Sequence, residues 1–289
     1  MNYRVREAAS SRQGDEAMTN HPTPRPGVLL IDAYVPGKSA APGTMRAFKL
    51  SANETPLGPS PQAIAAARNM LEETALYPEG SSRKLREAIG AQYNLDPERI
   101  IAGAGSDEIL ELLALAYIGP QDEGLYSQYG FLEYKIVTLC AGGRPVVAPE
   151  TNYIADVDAL LSCVNSKTKL VFLANPNNPT GSYLPEKEVR RLAASLPKQT
   201  ILVLDAAYAE YVTSADYVSG ATIVDEYENV VMTRTFSKIY GLAGLRLGWG
   251  YGQRSIIDTL NRIRPPFNIS SIARSEEHTS ELQSRETIS

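Results

Sequence analysis

"NVVMTRTFSK" (229–238) opens as an apolar, β-branched run and closes on Ser and Lys, so it predicts a buried strand that delivers a lysine at its carboxyl end. Two upstream stretches have the same form. "TILVLDAAYAEY" (200–211) and "KLVFLANP" (169–176) are apolar runs that pass into polar or turn-forming residues. Between them, "PEKEVRRLAASL" (185–196) carries a leading Pro, early acids and apolar residues at helical spacing, which completes a βαβ unit. Strand-helix alternation of this kind argues for an α/β sheet, and ligands favour the carboxyl ends of its strands.

Working outward, "SPQAIAAARNMLEET" (60–74), "SRKLREAIGAQYN" (82–94) and "SDEILELLALAYI" (106–118) predict helices, the last following "GAG". The Pro- and Gly-rich stretch before them predicts an arm and loops. At the far end, "RSEEHTSELQSRETIS" (274–289) has too few apolar residues for a helix face. Two readings stand for it, a solvated tail and foreign sequence joined by a frame error or a chimaeric read.

Composition narrows the function. The 289 residues carry 28 basic and 33 acidic side chains, a formal charge of −5, with no basic tract to bind nucleic acid. No apolar stretch is long enough to span a membrane, and the first seventeen residues lack the apolar region of a signal peptide. Two cysteines, Cys140 and Cys163, have no metal-like spacing and read as reduced thiols of a cytoplasmic protein. The only histidines, His21 and His278, lie in the terminal segments, which argues against a Ser-His-Asp triad or a zinc site. Lysine, tyrosine, carboxylate or a cofactor must then move the protons.

Lys238 is the first candidate. A lysine after a strand is by default a solvated charge. Here small residues surround it, and Arg246 follows with a planar fork suited to phosphate. That pairing fits a Schiff-base lysine beside a phosphate clamp. Asp205 ends a strand, where a lone carboxylate is as often a cap or an ion-pair partner; beside a pyridine nitrogen it would hold the ring protonated. Tyr208 could be ordinary core, or a phenol bonded to a ring oxygen. "NPNNPTG" (175–181) is turn chemistry, yet the Asn178 amide can donate to the same oxygen. "GAGSDE" (103–108) lacks the third glycine of a dinucleotide fingerprint and fits better as a helix amino terminus whose N–H groups around Ser106 and Asp107 bind phosphate. Tyr129 is either core or a ring stacked on a cofactor face.

Taken in order, "LSANETPLGPSP", "YPEGSSRKLREAI", "GAGSDEIL", "NPNNPTG", "LDAAYAEY", "TFSKIYGLAGLRLGW" and "RIRPPFNIS" resemble the class-II pyridoxal-phosphate-dependent aminotransferases, and among them the histidinol-phosphate aminotransferases. The resemblance spans residues 22 to 273. It implies an α/β type I aminotransferase-like fold, with a mostly parallel sheet flanked by helices and the small C-terminal domain largely missing. The implied divisions are a disordered extension (1–21), an arm with loops (22–60), a large cofactor-binding domain (61–273) and a non-family tail (274–289). Pyridoxal 5'-phosphate is the implied cofactor: Lys238 bonds its aldehyde, Asp205 pairs with the ring nitrogen, and Tyr208 and Asn178 hold the 3-oxygen. Ser106, Asp107, Ser237 and Arg246 bind its phosphate, and Tyr129 stacks on the ring. Tyr77 matches a tyrosine given across a homodimer interface to the neighbour's cofactor.

The implied reaction takes histidinol phosphate and 2-oxoglutarate to imidazole acetol phosphate and glutamate, a step of histidine biosynthesis. An aromatic-amino-acid aminotransferase or a threonine-phosphate decarboxylase would use nearly the same cofactor residues. In the family a substrate-gripping arginine lies beyond the point where the resemblance stops, so an inactive cofactor-binding fragment is a further expectation.

Overall fold

The computed structural model describes residues 22–33 and 51–274. The expected extension (1–21), residues 34–50 of the arm and all but the first residue of the expected tail lie outside the described residues.

The arm enters as a short 3-10 turn, Pro26–Leu30, that buries no side chain. Helix α1 (Pro61–Asn69) begins where Ser60 Oγ accepts the Ala63 N–H at 3.2 Å and Pro61 takes the first helical position. After α2 (Arg83–Tyr93) come β1 (Ile100–Gly103), α3 (Ser106–Tyr117), β2 (Glu123–Ser127), α4 (Glu133–Ala141) and β3 (Arg144–Ala148). A two-stranded hairpin, β4 (Glu150–Thr151) and β5 (Ile154–Ala155), leads to α5 (Val157–Cys163) and β6 (Thr168–Ala174). The chain closes with α6 (Glu186–Ser195), β7 (Ile201–Asp205), α7 (Ala221–Glu226), β8 (Val230–Thr235), β9 (Gly248–Tyr251) and α8 (Arg254–Ile263).

Seven strands form one sheet in the order β1-β9-β8-β7-β6-β2-β3. From β3 through β8 the neighbours are parallel, whereas β9 runs antiparallel to both β8 and β1. Alternation along the strands sends side chains to two cores. Leu202 and Leu204 of β7 join Val189 and Leu192 of α6 on one face, and Ile201 and Val203 join Ile109 of α3, Tyr134 of α4 and Leu260 of α8 on the other. Burial on both faces explains why these strands read as unbroken apolar runs.

β7 ends at Asp205, where the sequence reading has its strand end, and "AAYAEY" turns away and closes as a 3-10 turn, Ala209–Tyr211. The other two strands end sooner than the sequence predicts. β8 stops at Thr235, three residues before Lys238, and β6 stops at Ala174. The last rungs are Asn175 N–H to the Asp205 carbonyl and Ala206 N–H to the Thr233 carbonyl, both 2.9 Å. Beyond them Pro176 has no N–H to offer the ladder. The loops that leave these three strands are thus released from sheet pairing, and their side chains can turn toward one another.

Candidate active site

Register places the ends of three strands side by side: Ala174 opposite Asp205, and Asp205 opposite Thr233. Asp205, 5% exposed, sits in the middle. Its Oδ2 accepts the Tyr134 hydroxyl at 2.9 Å, and its Oδ1 accepts the Thr233 hydroxyl and the Ala207 N–H, each at 3.3 Å. All these donors are neutral. Burial pushes the carboxyl up to about 6, with the Asp107 charge adding to the push, while the three hydrogen bonds pull it down.

Three residues beyond Asp205, the Tyr208 hydroxyl accepts Asn53 Nδ2 at 2.9 Å, and the same amide reaches Asn178 Oδ1 at 3.4 Å. Asn178 lies in the turn after β6, which contains the cis bonds Asn175–Pro176 and Asn178–Pro179. That turn is pinned in place by Asn175, whose side chain exchanges hydrogen bonds with the Leu184 main chain at 3.1 and 2.7 Å. Lys238 Nζ stands 5.4 Å from the centre of the Tyr208 ring. The half-buried lysine thus joins a polar cluster drawn from the arm, the β6 turn and the β7 loop.

Beside it, Ser237 and Arg246 form a second group. Arg246 Nη1 donates to Ser237 Oγ and Nη2 to Asp107 Oδ2, both at 3.3 Å. Asp107 is in the first turn of α3, and the backbone there is reached only because two glycines lack side chains. A Cβ on Gly105, at φ +84°, would lie 2.6 Å from Arg246 Nη2, and one on Gly248 of β9 would lie 2.3 Å from the Ser106 nitrogen. The unpaired N–H groups of the α3 start, the Ser237 hydroxyl and a half-exposed guanidinium therefore face one another.

Tyr129 follows β2. Its carbonyl accepts Asn177 Nδ2 at 3.0 Å, which ties it to the β6 turn, and its ring lies 5.1 Å from that of Tyr153. Tyr77 is not part of the cluster: it is 82% exposed and stacks on Phe267 at 4.7 Å. Three residues of the site were missed in the sequence. Asn53 stands in "LSANETPLG" at φ +54°, Tyr134 in what reads as an ordinary helix start, and Thr233 within a strand. Nearby, Glu210 and Arg234 make an ion pair at 2.5 Å with side chains only 7% and 6% exposed, and Tyr240 adds its hydroxyl to Glu210 at 3.0 Å.

Comparison with known proteins identifies the family. The family model for aminotransferase class I and II matches residues 46–275. A histidinol-phosphate aminotransferase of Rhodopseudomonas palustris (strain TIE-1) is 59% identical over 253 residues, which are 87% of this chain and 69% of that one. The crystal structure of a histidinol-phosphate aminotransferase from Sinorhizobium meliloti, in complex with pyridoxal-5'-phosphate, superposes with a TM-score of 0.78 at 31% identity, covering 82% of this chain and 64% of that one. Thermus thermophilus aspartate aminotransferase, at 22% identity over 82% of this chain and 66% of that one, shares the fold with a TM-score of 0.74. This chain spans about two thirds of the length of these relatives. A family match across most of the sequence and identity at this level lead to one conclusion: the chain belongs to the class I and II aminotransferases, on the histidinol-phosphate aminotransferase branch.

Proposed function

We propose that this chain binds pyridoxal 5'-phosphate at the ends of β6, β7 and β8 and moves an amino group from histidinol phosphate to 2-oxoglutarate, giving imidazole acetol phosphate and glutamate. In histidine biosynthesis the same equilibrium runs the other way. The residues fit the cofactor. A buried carboxyl held only by neutral donors suits the protonated nitrogen of a pyridine ring, whose charge would remove the penalty that now pushes Asp205 up to about 6. The side-chain-free backbone at Gly105 leaves a cradle beside Arg246 for a phosphate.

In this reading Arg246, Ser237 and the N–H groups at Ser106 and Asp107 bind the phosphate, and Asp205 holds the proton on the ring nitrogen. Tyr208 donates to the 3-oxygen. The Asn178 amide would donate to the same atom. Tyr129 packs on the ring, and Tyr77, exposed in one subunit, reaches the neighbour's phosphate in a homodimer. When bound, the cofactor supplies an aldehyde that bonds amines and a ring that takes up the electron pair released at the substrate's α-carbon. Lys238 would do the proton work: its Nζ would take the proton from that carbon and return it, first as base and then as acid. Among the described residues no helix is long and apolar enough to cross a membrane. Two unpaired cysteines support a cytoplasmic setting.

The observation that carries the proposal is that Lys238 and Arg246, in the connection from β8 to β9, lie at the same end of the sheet as Asp205, the last residue of β7. The Rhodopseudomonas palustris and Sinorhizobium meliloti relatives, 59% and 31% identical, bear the histidinol-phosphate name, which favours this donor over an aromatic amino acid or threonine phosphate. The test is glutamate formation by the purified chain with 2-oxoglutarate and each donor in turn. Histidinol phosphate should be used fastest, and Lys238→Ala should lower the rate by about three orders of magnitude or more. A Lys238→Ala protein that transaminates normally would falsify the assignment.

A further inference from the structure

We propose that Tyr134 is a positioning residue for this reaction: with Thr233 it fixes the plane of the Asp205 carboxyl and supports its charged form, so that the acid is ready for the cofactor's ring nitrogen. The inference rests on the pyridoxal-phosphate reading above. Tyr134 is fully buried in the first turn of α4, and its ring has no freedom to swing. It stacks on Phe172 of β6 at 4.9 Å and 8°, and meets Phe131 edge-on at 5.8 Å and 89°. The hydroxyl is thereby aimed at Asp205 Oδ2, 2.9 Å away and 71 residues along the chain.

A buried phenol needs some partner, and a carbonyl would satisfy it. This one is given instead to the single carboxylate oxygen that Thr233 and the Ala207 N–H leave open. Donation to an ionised acid is stronger than to a neutral group, so the bond favours the anion. The other groups that bear on Asp205 do not replace it. Asp107, from the start of α3, repels the charge, and the Tyr217 phenol, whose proton burial holds in place, brings none. Burial and the Asp205 charge hold the Tyr134 proton on its oxygen, which keeps it a donor.

Tyr134→Phe retains the ring and its packing and removes only the hydroxyl, so its melting temperature should stay close to that of the parent. Two readouts on the full chain then decide the matter. In the cofactor-free protein, the infrared band of the protonated Asp205 carboxyl, identified by its loss in Asp205→Asn, should titrate about one pH unit higher in Tyr134→Phe than in the parent. Pyridoxal-phosphate affinity should fall as pH drops through that midpoint, and therefore begin to fall at higher pH in the variant, by about threefold at pH 6.5. Thr233→Val should move the band in the same direction by less, because its bond is longer. An unmoved band, with cofactor binding intact in both proteins, overturns the positioning role alone. Failure of the parent chain to bind pyridoxal phosphate overturns the functional reading, and the positioning role with it, even if the band moves.

Discussion

Asp205 ends β7 and Glu210 lies five residues on in the loop that follows, both with side chains out of water, and the protein treats their charges in opposite ways. Glu210 is matched by the Arg234 guanidinium at 2.5 Å and by the Tyr240 hydroxyl, and Arg234 in turn lies over the rings of Tyr93 and Trp249 at 5.1 and 5.7 Å. Asp205 is given hydroxyls and an amide and, among the described residues, no ion-pair partner. Removing two charges from water is tolerable when they meet, whereas a single buried charge is paid for at every moment the site stands without a counter-ion. Glu210 is therefore a tie between the β7 loop and β8. Asp205 is an electrostatic vacancy of the kind that functional sites keep.

The largest effect that could break this comparison comes from separating the tie. Arg234→Met leaves Glu210 with a hydroxyl alone and should destabilise the chain by about 3–5 kcal/mol in denaturant unfolding, while Arg234→Met with Glu210→Leu should regain most of that. Equal stability of the single variant and the parent would contradict the role of the pair as a tie. Asp205→Asn should do the reverse. Without cofactor it should stabilise the protein by roughly 1–3 kcal/mol at pH 7.5, since a buried charge is gone, and it should weaken pyridoxal-phosphate binding at least tenfold.

The same charge can be read through pH. Because burial raises the folded-state value of Asp205 from 3.8 to about 6, the folded chain keeps a proton that the unfolded chain releases. Stability of the cofactor-free protein should fall as pH rises through that window and level off above it. Glu133, pushed up to about 7 by burial, Asp107 and Glu111, adds a fall of the same sign that extends further. Subtracting the Asp205→Asn curve isolates the Asp205 part; a difference curve that is flat between about pH 4 and pH 6 would contradict the assignment. The smallest effect is at the phosphate end. Gly105→Ala, at φ +84° and against Arg246, should lower stability by about 1 kcal/mol and weaken cofactor binding without moving the titration of Asp205.

Much of this site is legible in the sequence because its groups sit at the ends of apolar runs. Lys238, Asp205 and the "NPNNPTG" turn each come after a strand, and a parallel sheet brings such ends together. The helices from Pro61, Arg83, Ser106 and Glu186 are legible for a similar reason, with helical apolar spacing in each and a capping or proline start in several. What stayed hidden depends on partners far along the chain. Tyr134 looks like one more aromatic of a helix, and nothing local says that its hydroxyl will meet an acid 71 residues on. Asn53 bridges to residues 125 and 155 positions away. The charges at Glu210 and Arg234, each inside an apolar stretch, were the available signal that two buried groups seek each other.

The most direct test of the whole account is chemical trapping. The chain is mixed with pyridoxal phosphate, reduced with borohydride, digested and mapped by mass spectrometry. A pyridoxyl group on the peptide containing Lys238, lost when Arg246 is replaced by Ala at limiting cofactor, is the expected result. Label spread over surface lysines, with Lys238 unmodified, would contradict it.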